Sequence, residues 1–92
     1  MSTVVLPAIL RADVGGAKSV DVDGETVGAV VDALVDRHPA LGDRLRTPDG
    51  GLHRFVNVYL NGEDVRYLQG LDTRVDPDDE VRLLPAIAGG AA

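Results

Sequence analysis

The sequence predicts an α+β fold, a small β-sheet with one long helix packed across it. A stripe of Val27, Val30, Val31, Leu34 and His38 recurs at helical spacing in the middle of the chain. β-rich runs open and close the sequence. With 92 residues, 45% of them hydrophobic, the chain has material for one core. That core must be aliphatic, because aromatic residues make up only 3%.

Thr3 to Ile9 reads as the opening strand and Lys18 to Val22 as its return after the Gly15-Gly16 break, with Leu10 to Ala17 as the loop between them. Val4-Val5-Leu6 is a continuous apolar run, so alternation alone does not assign its faces. Thr26 to His38 is the helix. Asp32 and Asp36 fall off its apolar stripe, Thr26 can cap the first turn, and Pro39 stops the pattern. Arg37 and His38 sit near the negative end of the dipole. The three valines of the stripe lower intrinsic helix preference, so burial must hold the element in place.

A short turn from Ala40 to Leu45 precedes the Thr47-Pro48-Asp49-Gly50-Gly51 break. In the next strand, Phe55 to Leu60, the set Phe55, Asn57 and Tyr59 alternates with Val56, Val58 and Leu60, and the aliphatic set is assigned to the core. Asn61-Gly62 marks a tight turn into a brief return strand, Glu63 to Arg66. Asp76-Pro77-Asp78-Asp79 makes a polar turn before a final strand, Glu80 to Ile87, with Val81, Leu83, Pro85 and Ile87 on one side. The expected core gathers Val30, Val31, Leu34, Val56, Val58, Val81 and Leu83.

Composition removes several function classes. A net charge of −6 serves phosphate backbones poorly, which argues against nucleic acid as a partner. Without cysteine the chain offers no disulfide, thiol nucleophile or thiolate metal site. The first residues lack the pattern of a signal peptide, and no stretch has the length of a membrane span, so no membrane partner and a cytoplasmic location are expected. His38 and His53 lack zinc spacing, and Asp76, Asp78, Asp79 and Glu80 lack the ligand order of a calcium loop. Gly15-Gly16 and Gly50-Gly51 lack the Lys-Ser/Thr context of a phosphate loop. No Ser/His/Asp array earns a catalytic role. The expectation is a non-enzyme with no metal and no cofactor of its own.

The expected body is a domain spanning 1–87, followed by a tail, 88–92, of sequence Ala88-Gly89-Gly90-Ala91-Ala92. Gly89 and Gly90 have no side chains to block a narrow passage, and ordering them costs conformational entropy. Composition alone leaves two readings, a frayed terminus or a tail made to enter a channel.

Several blocks resemble the ubiquitin-like MoaD/ThiS sulfur-carrier family, above all its cysteine-biosynthesis branch. They are Leu6-Pro7-Ala8-Ile9-Leu10-Arg11, Gly15-Gly16-Ala17-Lys18-Ser19-Val20, the stretch from Leu52-His53-Arg54-Phe55-Val56-Asn57 to Asn61, Glu63-Asp64-Val65-Arg66, and Leu83 to Gly90. The resemblance implies a ubiquitin-like β-grasp, a mixed sheet packed against one long helix. It also implies a protein substrate whose terminal glycine carboxylate, here Gly90, is adenylated by a sulfur-transfer enzyme using MgATP and converted to a thiocarboxylate. A pyridoxal-phosphate cysteine synthase would receive the sulfur, and a zinc-dependent peptidase would resolve the carrier–cysteine adduct. MgATP, zinc and pyridoxal phosphate would all belong to those partners.

The chain departs from the pattern at Ala91 and Ala92. Activation at Gly90 requires that the Gly90-Ala91 bond be cut first. Tyr59 and Arg82, alternating away from the core positions, are the expected partner-facing residues, with Arg54, Arg66 and Arg74 as further surface cations. The alternatives are a ubiquitin-like interaction domain without sulfur chemistry, or a carrier for molybdopterin or thiazole synthesis.

Overall fold

The computed structural model describes residues 1–54 and 56–85 and contains one five-stranded sheet in the order β2-β1-β5-β3-β4. β1 (Ser2–Val5) pairs antiparallel with β2 (Ser19–Val22) and parallel with β5 (Glu80–Pro85). β3 (Val56–Leu60) runs antiparallel to β5 and to the short β4 (Glu63–Asp64). The central pair is parallel, and the chain crosses over between β1 and β5 through all the intervening elements.

Among the described residues, three α-helices accompany the sheet: α1 (Ala8–Arg11), α2 (Val27–Arg37) and α3 (Gly42–Leu45), the last preceded by a 3-10 turn at Pro39–Leu41. The long helix obeys its sequence signals. The Thr26 hydroxyl accepts the Ala29 N–H at 3.1 Å, Arg37 occupies the last turn, and the His38 N–H closes on the Leu34 carbonyl. Val27, Val30, Val31 and Leu34 are fully buried with Val4, Val22, Val58, Val81 and Leu83 from the sheet. Burial of each such side chain contributes about 1.5–3 kcal/mol, which offsets the poor helix preference of valine.

The first strand is shorter than its apolar run suggests. β1 ends at Val5, and the expected strand residues Ala8 and Ile9 belong to α1, where the Leu10 N–H bonds to the Pro7 carbonyl at 3.0 Å. Proline has no N–H to continue the ladder, so the strand stops where Pro7 turns the chain. The return strand after Asn61-Gly62 keeps only Glu63 and Asp64, and Val65–Tyr67 coil into a 3-10 turn. Asn61 and Gly62 both adopt positive φ, 50° and 91°, as a primed hairpin turn requires.

The core corrects two further expectations. Val56 is only partly buried and Pro85 is exposed, because both lie at the open end of the β3–β5 pair. Leu41 and Leu45, from the short segment after the long helix, are instead fully buried. Gly24 lets the β2–α2 connection press on the helix. A Cβ built there would stand 2.6 Å from the Val30 backbone nitrogen. Phe55, Ala86, Ile87 and the tail lie outside the described residues.

Candidate functional site

The sheet has a helix-covered face and an open face, and strand alternation sorts the functional candidates between them. Tyr59 and Arg82 are direct partners across β3 and β5, and Val5 and Asp64 are their neighbours on the flanking strands. One row across the open face therefore reads Ser19, Val5, Arg82, Tyr59, Asp64. The structure brings the two sequence-predicted interface residues together at its centre. Arg82 also reaches Glu80 at 3.4 Å on the same strand.

Asp64 anchors the end of this row. It is 9% exposed, and its carboxylate accepts from the Arg66 backbone N–H at 2.9 Å and from the guanidinium at 2.7 Å. The Arg66 side-chain hydrogen bonds hold the Asp64 carboxyl below the usual carboxylate range, against the opposing effect of burial. Arg66 is thus fixed beside Tyr59, leaving its outer surface to solvent.

The other sequence candidates have structural partners. Asp79 accepts from the Asp76 N–H at 2.8 Å and the Asn61 side-chain amide at 2.9 Å, and Asn61 in turn accepts from the Glu80 N–H. The acidic turn therefore locks the start of β5 to the β3–β4 hairpin, and the Asn61 bond lowers the Asp79 pKa. His38 terminates α2, and Arg74 lies in an isolated bridge opposite Thr26. Among the described residues no group of three or more His, Asp or Glu side chains could hold a metal ion. No described helix is long and apolar enough to cross a membrane.

A feature that sequence reasoning missed lies where β5 runs out. Pro7, Ile9, Leu10, Val56, Leu84 and Pro85 form most of an apolar groove of about 330 Å³, with Asp43, Arg44 and His53 on its polar side. Ile9 and Leu84 are 64% and 37% exposed, so the groove leaves large aliphatic surface open to water. Its walls come from four separated segments, and no local pattern in the sequence connects them. Gly89, Gly90 and Ala91 lie outside the described residues, but Pro85, five positions before Gly90, is a wall of this groove.

A mixed sheet crossed by one long helix, with its last strand at the centre, defines a ubiquitin-like β-grasp protein. The chain belongs to the ThiS family, whose model matches residues 4–90. It is 49% identical over 90 residues to the sulfur carrier protein CysO of Mycobacterium tuberculosis, covering 96% of this chain and 97% of that one. It is 43% identical over 82 residues to small archaeal modifier protein 1 of Haloferax volcanii, covering 86% and 90% of the two chains. A chain in the crystal structure of the Amycolatopsis orientalis BexX/CysO complex superposes with a TM-score of 0.89 at 46% identity, over 98% of this chain and all of that one. The fold and the family expected from the sequence are both borne out.

Proposed function

We propose that this chain is a sulfur carrier, a protein substrate whose Gly90 carboxylate is activated by a partner and converted to a thiocarboxylate for cysteine biosynthesis. The supporting observation is near-full-length likeness to CysO together with a family match that stops at Gly90, two residues before the end of the sequence. A carboxylate is a poor electrophile, whereas an acyl adenylate has a good leaving group. The partner must therefore supply MgATP and a channel that excludes water. Glycine at 89 and 90 suits such a channel, and removal of Ala91 and Ala92 sets the carboxylate at Gly90.

The β-grasp body is the handle. The row containing Tyr59 and Arg82 and the apolar groove at the root of the tail are the surfaces offered to the adenylating and sulfur-transfer enzyme. A pyridoxal-phosphate cysteine synthase and a zinc-dependent peptidase act after it, and this chain carries no cofactor of its own. The location is cytoplasmic, where such enzymes find ATP. Likeness to a small archaeal modifier protein favours a second reading, in which the same carboxylate is joined to another protein.

The test uses the full chain and a chain ending at Gly90, each incubated with the cognate activating enzyme, MgATP and a sulfur donor. Intact mass should show oxygen replaced by sulfur in the shorter chain, with the full chain unchanged until a peptidase removes Ala91-Ala92. A shorter chain found attached to other proteins, with no thiocarboxylate, would transfer the assignment to the modifier reading.

A further inference from the structure

Asn61-Gly62 turns the chain from β3 into β4, and the fold uses the Asn61 side chain as an extra piece of backbone. The Asn61 N–H donates to the Glu80 carbonyl at 3.0 Å, and the Asn61 Oδ1 accepts the Glu80 N–H at 2.9 Å. These two bonds extend the β3–β5 ladder one step past the pair Leu60 and Val81. The Asn61 Nδ2 donates to Asp79 Oδ1 at 2.9 Å, and Asp79 Oδ2 accepts the Asp76 N–H at 2.8 Å. One side-chain amide therefore ties the tip of the hairpin to the turn that starts β5.

The same amide stands directly before a glycine. No side chain at Gly62 shields its backbone nitrogen, and a Cβ added there would meet nothing within 4 Å. Asn61 is exposed, so water and base reach it. The chain's other asparagine, Asn57, precedes Val58, whose branched side chain crowds the corresponding nitrogen. Asparagine is a thermolabile residue because the next backbone nitrogen can attack its side-chain carbonyl carbon. Closing that ring at Asn61 forfeits the bonds to Asp79 and Glu80, so in the folded chain the reaction waits for this end of the sheet to open.

We propose that Asn61 is a deamidation site, held back in the folded chain by its bonds to Asp79 and Glu80, and that losing its amide unfastens the β3–β4 hairpin from β5. The Gly62 nitrogen gives its proton to solvent base and attacks Asn61 Cγ, forming a C–N bond. Nδ2 leaves with the electron pair of its bond to Cγ, takes up a proton and departs as ammonia. Water then opens the five-membered imide, at one carbonyl to aspartate and at the other to isoaspartate. Either product puts a carboxylate, which has no N–H, where the amide donated to Asp79, and the two negative charges repel. Isoaspartate also adds a carbon to the backbone of the turn, beside the Leu60–Glu63 pair. Tyr59 and Arg82 lie two residues from Asn61 and Glu80 on their strands, so the tie borders the centre of the open face.

The test follows intact mass and isoaspartate content of the full chain in mildly alkaline buffer, folded and in denaturant, with fragmentation of the tryptic peptide 55–66 to separate Asn61 from Asn57. The unfolded chain should replace the Asn61 amide nitrogen by oxygen at least tenfold faster than the folded one, and folded Asp79→Ala should react faster than the folded wild type. Asn61→Asp, which makes one product directly, should melt below the wild type. Adding Asp79→Asn to it should restore the melting temperature, because amide and carboxylate have then exchanged places, and this pair of variants tests the tie even if Asp79→Ala does not fold. No conversion at Asn61 in denaturant, or equal rates in the folded and unfolded wild type, overturns the protected site. Melting of Asn61→Asp with the wild type, no recovery on adding Asp79→Asn, or a folded Asp79→Ala that reacts no faster overturns the tie to Asp79.

Discussion

Tyr59 and Arg82 stand opposite one another in the antiparallel pairing of β3 with β5, at the centre of the open face of the sheet. The pairing makes them a single feature for a partner, because side chains directly opposite lie within about 5 Å at Cβ. Tyrosine and arginine are also the residue types that most often carry binding energy in protein interfaces.

The first prediction concerns that pair and its neighbouring groove. Arg82→Glu and Tyr59→Ala should each weaken binding to the activating enzyme by about 1–3 kcal/mol, and Leu84→Asp should do the same by charging the apolar groove. Unchanged circular dichroism and melting would assign the loss to the interface. Amide exchange on the complex should show protection along β5 and at the groove, while protection confined to Asp32 and Asp36 on the polar side of α2 would reverse the docking orientation.

A second prediction tests the core. Leu34 has 0% exposure at the centre of the α2 stripe, so Leu34→Ala should cost about 2–5 kcal/mol in chemical denaturation. A loss under about 0.5 kcal/mol would remove Leu34 from the core. Thr26→Ala should cost about 1 kcal/mol, the usual loss for one helix cap.

The β2–α2 connection gives a third. Gly24→Ala should destabilise the protein by about 1–3 kcal/mol, because the new methyl group would press on the Val30 backbone. Gly62, unlike Gly24, has a positive φ and open space around it, so Gly62→Ala tests backbone strain alone and should cost less.

Acid stability follows from three aspartates. Thr47 and Gly51 hydrogen bonds lower the Asp49 pKa, Arg66 lowers that of Asp64, and Asn61 lowers that of Asp79. In each case the unfolded carboxyl binds a proton at higher pH than the folded one. The stabilisation is therefore complete above the unfolded value of about 3.9 and is lost as pH falls through the lower folded values. Asp64→Asn should flatten the fall in denaturation midpoint below that pH. An unaltered slope would show that the Asp64–Arg66 contact does not contribute to it.

The long helix was legible because its determinants are local: Thr26 caps it, Pro39 stops it, and the valine stripe repeats within a few residues. The hairpin turn at Asn61-Gly62 was legible for the same reason. Ala8 and Ile9 were misassigned to a strand because aliphatic content does not report the turn that Pro7 imposes. Tyr59 and Arg82 could each be placed by alternation, but their pairing depends on register between distant strands. The groove was invisible for a stronger version of that reason. Ile9, Val56 and Leu84 have no sequence relationship until the sheet forms.

Gly90→Ala in the chain ending at that position should leave the melting temperature unchanged and slow adenylation at least tenfold. On the proposed carrier reading the new Cβ would have to enter the partner's channel beside the reacting carboxylate, and misplacing that carboxylate by a fraction of an ångström suffices for such a loss. Equal rates for both chains would show that the passage tolerates a side chain.

The most direct measurement of the central claim is pyrophosphate release by the cognate activating enzyme with MgATP, comparing the chain ending at Gly90 with the chain ending at Ala92. The account predicts release with the shorter chain, none with the longer one, and gain of release when a peptidase removes Ala91-Ala92. Binding of the shorter chain without pyrophosphate release, or equal release from both, would contradict activation at Gly90.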